Sequence, residues 1–202
     1  WSSDVCSSDL IRALSDERGV FDKLALTLLE DTEGNVWVGT SGGLLRFYEP
    51  RGYTYSRANG LPDDNVRAIE ATGTDDLWLG TASGLARMTP GGIVEPPRIP
   101  GLTGRAVTSI HADSQNRLLI GFADSGLGML ANGRFSPIQT PGHTFPDNVM
   151  TVRPDQRGAF WICNLSDLGL YHWDGRSTFR KVQGTFPPGR GGCSATLLDQ
   201  IG

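Results

Sequence analysis

The chain has 202 residues, with 18 lysine and arginine residues, 22 aspartate and glutamate residues and a formal net charge of −4 at pH 7. The basic residues form no cluster or stripe, which argues against a nucleic-acid partner, and no apolar run approaches the roughly 18 residues that a membrane-spanning helix needs. The 27 glycines and 12 prolines, together with the absence of helical periodicity among the apolar residues, predict an all-β fold.

Residues 1–10 match no other part of the chain. Their sequence is the one expected from translation of a common sequencing-library adapter, so we interpret them as an assembly artefact; a genuine polar tail is the alternative. Removing the charges of Asp4 and Asp9 changes the formal net charge from −4 to −2. Under this interpretation the natural chain continues beyond both ends, because residues 199–202 repeat an earlier turn and stop just before the next tryptophan is due.

The rest of the chain repeats one pattern. Its anchors, Trp37, Trp78, Leu119 and Trp161, are 41, 41 and 42 residues apart. A fixed period of this size in a β-rich chain predicts the four-stranded blades of a β-propeller. We therefore expect residues 11–202 to form part of a ring of seven blades, with partial flanking blades and four full blades at residues 24–58, 64–99, 105–140 and 147–184. A further blade begins at residues 193–202.

Each repeat begins with an inner strand and a four-residue turn, at residues 31–34, 72–75, 113–116, 155–158 and 199–202. The last turn position is always glycine, aspartate or asparagine, the residue types that tolerate a left-handed backbone. In the inner strands the apolar residues recur at a spacing of three, as in Val66 and Ile69. This spacing breaks the alternation of a regular strand and predicts a bulge or a later strand start.

The second strand of each repeat carries the tryptophan and is apolar on both faces, which predicts that both faces are covered by neighbouring blades. A glycine two residues later predicts close approach between blades, and Cys163 takes this position in the fourth repeat as a small buried residue. A glycine turn, a third strand, a second turn and an outer strand complete the repeat. The structural anchors predicted from this pattern are Gly34, Trp37, Gly39, Thr40, Trp78, Gly80, Thr81, Leu119, Gly121 and Trp161.

The order inner strand, Asp-x-x-Gly turn, Leu-Trp-x-Gly-Thr and Gly-Leu-x-Arg resembles the two-component regulator propeller repeat. Residues 66–88 carry the best copy and residues 28–47 the second best, whereas Leu119 and Cys163 depart from the pattern. The resemblance implies a seven-bladed, periplasmic or otherwise extracytoplasmic sensor domain of a bacterial histidine kinase, hybrid two-component protein or diguanylate cyclase. It also implies a small-molecule or carbohydrate ligand and membrane attachment through other parts of the intact protein. Whether the intact receptor forms a homodimer is left open.

Candidate binding residues are expected on the loops rather than in the packed strands. The loops between second and third strands should share one face, the loop face, with the loops between blades. The candidates for ligand binding there are Asp63, Asp64, Arg105, Asp124, His143, Asp147, Asp167 and Arg190, with Trp173 added as the tryptophan outside the repeat pattern. For any one of these residues, ordinary turn capping is the competing explanation.

Neither a catalytic arrangement nor a cofactor site is predicted. The three histidines are too scattered for a zinc site, and no serine, cysteine or histidine lies in a local catalytic signature. Cys163 and Cys193 were expected to form neither a metal site nor a disulfide framework. We therefore expect a non-enzymatic sensor propeller, without a cofactor. The alternatives are a propeller enzyme similar to the streptogramin-type lyases, whose repeats read Trp-Phe-Thr where this chain has Trp-x-Gly-Thr, and a protein-interaction propeller.

Overall fold

The computed structural model describes residues 23–48, 51–73, 76–89, 92–94, 99–113, 115–139, 147–155, 157–167 and 169–182. These residues form four antiparallel sheets, each of four strands consecutive in sequence, which confirms the predicted all-β propeller blades. They contain no helix long and apolar enough to cross a lipid bilayer.

The first blade contains β1 (Ala25–Glu30), β2 (Val36–Thr40), β3 (Gly43–Tyr48) and β4 (Arg51–Tyr55). The second contains β5 (Val66–Thr72), β6 (Asp76–Thr81), β7 (Gly84–Thr89) and β8 (Gly92–Val94). The third contains β9 (Val107–Ala112), β10 (Leu118–Phe122), β11 (Leu127–Ala131) and β12 (Arg134–Pro137). The fourth contains β13 (Val149–Pro154), β14 (Phe160–Asn164), β15 (Leu170–Trp173) and β16 (Phe179–Lys181).

The first strand of every blade is the innermost one. Strand β1 contacts β5, β5 contacts β9, and β9 contacts β13, so the four inner strands follow one another around the propeller axis. Side chains bridge these strands, because the Ala112 amide donates to Glu70 Oε1 at 2.7 Å and the Val152 amide donates to Ser109 Oγ at 3.0 Å. These hydrogen bonds satisfy backbone amides of the next inner strand that are not paired with a neighbouring strand.

The inner strands carry the predicted bulge. In the second blade the register of pairing with the neighbouring strand shifts between Val66 and Ala68, and equivalent shifts occur in the other three blades. A bulge adds one residue to one strand and so restores side chains three residues apart to buried positions. Val66 and Ile69 are accordingly both buried.

The hydrophobic core lies between blades rather than within them. Trp37 and Leu44 of the first blade pack with Val66, Ile69 and Leu79 of the second, and the next two interfaces are built in the same way. Stacking of neighbours is how a repeat protein buries a continuous core.

Blades approach most closely at the glycine of the second strand. A Cβ atom added at Gly80 would lie 2.6 Å from Val107 Cγ1, and one added at Gly121 would lie 2.8 Å from Val149 Cγ1. Both valines begin the inner strand of the next blade and are fully buried. The close approach predicted from these glycines is therefore present.

Cys163 stands at the glycine position of the fourth blade. It is fully buried and disulfide-bonded, and its partner lies outside the described residues. The expectation that the cysteines form no disulfide was therefore wrong for Cys163. Sequence spacing by itself did not reveal the pairing, because the two remaining cysteines belong to no recognised cysteine pattern.

We expect Gly80→Ala to lower the free energy of unfolding by about 1 to 3 kcal/mol, because the added methyl group overpacks the contact with Val107. Val107→Ala should cost about 1 to 3 kcal/mol through lost burial. The double variant should be less destabilised than the sum of the two, since truncating Val107 makes room for the new methyl group. Urea denaturation followed by far-ultraviolet circular dichroism measures all three.

Gly42→Ala is the matched control, because the added methyl group there meets only the exposed side chain of Lys23. Its unfolding midpoint should remain close to that of the wild type. Strict additivity of the Gly80 and Val107 substitutions would contradict direct contact between the blades at this point.

Candidate functional site

The loops between second and third strands do lie beside the loops that enter the inner strand of the same blade. In three blades, a backbone amide of the former donates to a carbonyl of the latter at 3.0 Å: Ala82 to Asn65, Ala123 to Ala106 and Leu165 to Asn148. This loop face carries six of the predicted binding residues: Asp63, Asp64, Arg105, Asp124, Asp147 and Asp167. His143 and Arg190 lie outside the described residues.

Asp63 and Asp64 hold loop backbone in place. Asp63 accepts hydrogen bonds from the Asn65 amide and the Ser83 hydroxyl, both at 2.9 Å, and so joins two loops of the second blade. Asp64 accepts from the Arg57 amide at 2.6 Å, at the start of a short 3-10 turn. The turn-capping explanation accounts for the contacts of both carboxylates.

Among the loop-face candidates in the described part of the chain, Arg105 and Asp124 form an ion pair with each other. Arg105 Nε lies 3.7 Å from Asp124 Oδ1, and the guanidinium carbon lies 3.9 Å from the centre of the Phe122 ring. The side chain of Asp124 is 60% exposed, which leaves this carboxylate accessible to a ligand. The ion pair contributes little to stability, because solvent screens the two charges at the surface.

Asp167 closes the longer loop of the fourth blade. Its carboxylate accepts hydrogen bonds from the Tyr171 hydroxyl, from Lys181 Nζ at 2.7 Å and from the Gly169 amide at 3.1 Å. Burial raises the pKa of Asp167, but the bonds from Lys181 and Tyr171 outweigh burial and lower the pKa overall. Burial and the neighbouring carboxylate raise the pKa of Tyr171 to about 12.

Asp147 serves the same loop through its backbone, because its carbonyl accepts from Asn164 Nδ2 and from Ser166 Oγ. Its side chain is exposed.

The expectation that Trp173 binds a ligand is corrected by its position. Only 3% of Trp173 is exposed, and its ring stacks on Phe160 at a centroid distance of 5.5 Å. The residue pairs across strands with Phe160 and Phe179 inside the fourth blade. It falls outside the tryptophan repeat because it belongs to the third strand, and it is a core residue there.

A cleft of about 290 Å³ opens between the first two blades on the opposite face, which carries the turns between first and second strands and is called here the turn face. Its walls include aromatic, acidic and basic side chains, and the cleft therefore offers both apolar contact and hydrogen bonding. The lining residues that carry these properties are Asp31, Glu33, Trp37, Arg46, Tyr55 and Asp76.

On the first blade's side of this cleft, the polar and aromatic side chains form one linked unit. Asp31 accepts hydrogen bonds from Trp37 Nε1 at 2.8 Å and from the backbone and side chain of Asn35. The guanidinium of Arg46, which is cross-strand partner to Trp37, lies 5.0 Å from the centre of the indole ring and 3.7 Å from the Glu33 carboxylate. The turn, the tryptophan and the cation therefore fix one another in place.

The second and third blades show that the tryptophan and its cationic partner change together. In the second blade Arg87 lies 5.9 Å from the centre of the Trp78 ring and forms an ion pair with Asp76. In the third blade leucine replaces the tryptophan, and its cross-strand partner is Met129. A cation gains nothing from an aliphatic side chain, whereas it is attracted to the face of an indole.

The fourth blade replaces the arginine with histidine. His172 pairs across strands with Trp161, with ring centroids 4.6 Å apart, and its Nε2 lies 3.0 Å from Asp155 Oδ2. The hydrogen bond with His172, joined by bonds from the Ala159 and Arg157 amides, lowers the pKa of Asp155.

The turns on this face adopt the predicted left-handed backbone. Gly34, Asn116 and Gly158 have φ values of 81°, 57° and 81°. Asp75, the corresponding residue of the second blade, lies outside the described residues, and Gly73 is left-handed there with a φ of 67°.

Sequence reasoning placed the site on the loop face and missed the lining residues Glu33, Arg46, Tyr55 and Asp76. A signal for Arg46 was present, because the arginine of Gly-Leu-x-Arg recurs in the first two repeats. Antiparallel pairing across the Thr40–Gly43 turn places that arginine directly opposite the tryptophan.

Comparison with known proteins agrees with this repeat. Residues 19–42 match the family model described as two component regulator propeller. The match covers one segment of the chain, from the inner strand of the first blade to its second strand. A search of curated protein sequences gave no match.

Solved structures with the same fold belong to more than one kind of protein. The extracellular domain of a hybrid two-component system from B. thetaiotaomicron has a TM-score of 0.65 at 19% identity, over 85% of this chain and 25% of that one. A catalytically inactive virginiamycin B lyase from Staphylococcus aureus, determined with quinupristin, has a TM-score of 0.63 at 13% identity, over 82% of this chain and 60% of that one. PorZ of Porphyromonas gingivalis has a TM-score of 0.55 at 15% identity, over 69% and 24%.

The chain thus spans about a quarter of the two-component domain and 60% of the lyase. At these identities the likeness establishes the β-propeller fold.

We expect Asp31→Ala to lower the free energy of unfolding at pH 7 by about 1 to 3 kcal/mol, because it removes the acceptor for Trp37 and Asn35. Burial raises the pKa of Asp31, but those hydrogen bonds outweigh it and hold the pKa below its usual value of 3.8. The ionised carboxylate therefore stabilises the fold above pH 3.8, and this contribution is lost as the pH falls through the lowered pKa. Urea denaturation at several pH values should show the difference from wild type shrinking below that point.

Thr32→Ala, an exposed substitution in the same turn, should leave stability unchanged at every pH. A stability difference for Asp31→Ala that stays constant down to pH 2 would show that the charge of Asp31 contributes nothing.

Proposed function

We propose that this chain is part of an extracytoplasmic sensor propeller of a bacterial signalling receptor, and that it has no catalytic role itself. The observation that carries the proposal is the match of residues 19–42 to the two component regulator propeller model, together with a tryptophan that contacts an arginine or histidine of the neighbouring strand in three blades. The signal would pass to a histidine kinase or diguanylate cyclase module elsewhere in the intact protein.

The disulfide at Cys163 supports the extracytoplasmic placement. Disulfides persist in oxidising compartments such as the periplasm and are rare in the reducing cytosol. The resemblance to the extracellular domain of a hybrid two-component system points to the same side of the membrane.

The cleft on the turn face is the binding site that we favour. Glu33 is 66% exposed and Arg46 31% exposed at their side chains, so both reach solvent at the mouth of the cleft. The carboxylates accept hydrogen bonds and the guanidinium donates them, beside the rings of Trp37 and Tyr55, which stack at 6.2 Å. A polyhydroxylated ligand such as an oligosaccharide has hydroxyl groups that both donate and accept, and it fits this combination.

Two matched variants distinguish the cleft from the loop face. Glu33 and Asp124 are exposed carboxylates, each 3.7 Å from an arginine, and they lie on opposite faces of the propeller. We expect Glu33→Ala to weaken binding of an oligosaccharide about ten- to a hundredfold, as loss of one hydrogen bond to a charged group implies. Asp124→Ala should bind like wild type.

Thermal shift and calorimetric titration against a panel of soluble neutral and acidic oligosaccharides provide the measurement. Loss of binding in Asp124→Ala alone would move the site to the loop face. Absence of binding across the whole panel, by wild-type protein that melts cooperatively, would contradict an oligosaccharide ligand.

A lyase is the second candidate, because the virginiamycin B lyase has nearly the same TM-score as the two-component domain. The repeats of this chain read Trp-x-Gly-Thr rather than the Trp-Phe-Thr that is typical of those enzymes, which favours the sensor. Incubation with quinupristin and Mg²⁺, followed by mass spectrometry, separates the two functions. An unchanged quinupristin mass spectrum and retention time are expected, and a linearised product would establish the lyase.

A further inference from the structure

The repeat register gives Cys193 a definite position. In each blade the residue six positions before the start of the first turn begins the inner strand, and it is Val66, Val107 and Val149 in the second to fourth blades. The next turn begins at Asp199, and the residue six positions before it is Cys193. In the sequence register, Cys193 therefore aligns with Val66, Val107 and Val149, the valines that contact the preceding blade.

Cys163 occupies the other side of the same contact. It pairs with Thr151 across the inner strand, as Gly121 pairs with Ser109 in the third blade and Gly80 with Ala68 in the second. The fourth blade thus has cysteine where the others have glycine. Across this one interface, both members of the glycine–valine pair are replaced by cysteine.

The spacing of the pair suits a disulfide. A Cβ atom built on Gly80 lies 3.2 Å from Val107 Cβ, and one built on Gly121 lies 3.4 Å from Val149 Cβ. Two cysteines in a disulfide have their Cβ atoms about 3.5 to 4.5 Å apart. A small outward adjustment of one blade therefore brings the two sulfur atoms into bonding distance.

The double replacement also explains why Cys163 is tolerated. A cysteine facing an unchanged valine would bring its Cβ within about 3 Å of the valine methyl group, as the built atoms at Gly80 and Gly121 do. A cysteine on both sides removes that methyl group and replaces a repulsive contact with a covalent bond.

We propose that Cys163 and Cys193 form a disulfide that joins the second strand of the fourth blade to the inner strand of the following repeat. The bond forms when one cysteine thiolate attacks an oxidised dithiol donor, such as a periplasmic protein disulfide, and the second thiolate then displaces the donor from the mixed disulfide. The two cysteines lose two electrons and two protons, and the donor is reduced to its dithiol. Cys6 is the competing partner, but it lies in residues 1–10, which match no position of the repeat.

Peptide mapping of the full chain under non-reducing conditions identifies the partner, because trypsin places the three cysteines in separate peptides. Cys6 falls in residues 1–12, Cys163 in residues 158–176 and Cys193 in residues 191–202. After alkylation of free thiols, we expect a linked species of residues 158–176 with residues 191–202, in the monomer band of a non-reducing gel, and alkylated Cys6. A link from residues 158–176 to residues 1–12, or three alkylated cysteines, would overturn the proposal.

A second experiment tests the register argument itself. Cys163→Gly with Cys193→Val restores the pair found at the other three interfaces and should fold without a covalent bond. Reduction should lower the melting temperature of the wild type by about 5 to 10 °C, as loss of a disulfide in a chain of this size implies, and leave the double variant unchanged. Cys6→Ser should behave like wild type. Equal sensitivity of wild type and double variant to the reductant, or a wild-type melting temperature that the reductant leaves unchanged, would contradict the assignment.

Discussion

The architecture depends on how closely one blade approaches the next. The second strand of each of the first three blades has a glycine where the next blade comes closest, and the first residue of the following inner strand fills that space, as Val107 does at Gly80. Because each sheet is covered on both faces, this contact lies in a close-packed interior that has no space for additional atoms. Repeat proteins derive their stability from such neighbour interfaces, so the residue at this one position of each second strand sets how closely the next blade can pack.

A second unit connects this scaffold to the turn face. In the first blade, Trp37 packs against residues of the second blade. The guanidinium of Arg46, on the neighbouring strand, lies near its ring, and Asp31 of the turn accepts a hydrogen bond from its indole N–H. Each contact of Trp37 with the partly exposed Arg46 and Asp31 is worth only about 0.5 to 1 kcal/mol. Their effect is to hold the polar groups at fixed positions, which is what a binding cleft requires. In the third blade the corresponding cross-strand pair is Leu119 and Met129, which supply neither the indole N–H nor the cation.

The sequence predicted the blades, the bulges and the glycine contacts because these features follow from local chemistry repeated at a fixed period. A single inner strand such as Val66–Thr72 is ambiguous, but its recurrence at residues 107–112 and 149–154 is not. The candidate site was predicted poorly, for a physical reason. Loop aspartates such as Asp64 cap turns and bind ligands with the same side chain, so their residue type does not distinguish the two roles. Trp173 was wrongly predicted to bind a ligand, because the repeat places tryptophan on the second strand and Trp173 lies on the third.

The cleft escaped sequence analysis because its walls come from two blades, and only the stacking of those blades brings Arg46 and Asp76 to the same opening.

The sequence of the intact gene, read beyond both ends of this chain, tests the sensor assignment most directly. For a sensor receptor we expect a signal peptide, further repeats of about the same 41-residue period, a membrane-spanning helix and a kinase or cyclase domain after it. A reading frame that stops after one ring of repeats, with no membrane-spanning helix, would contradict a receptor and favour a secreted lyase or interaction propeller.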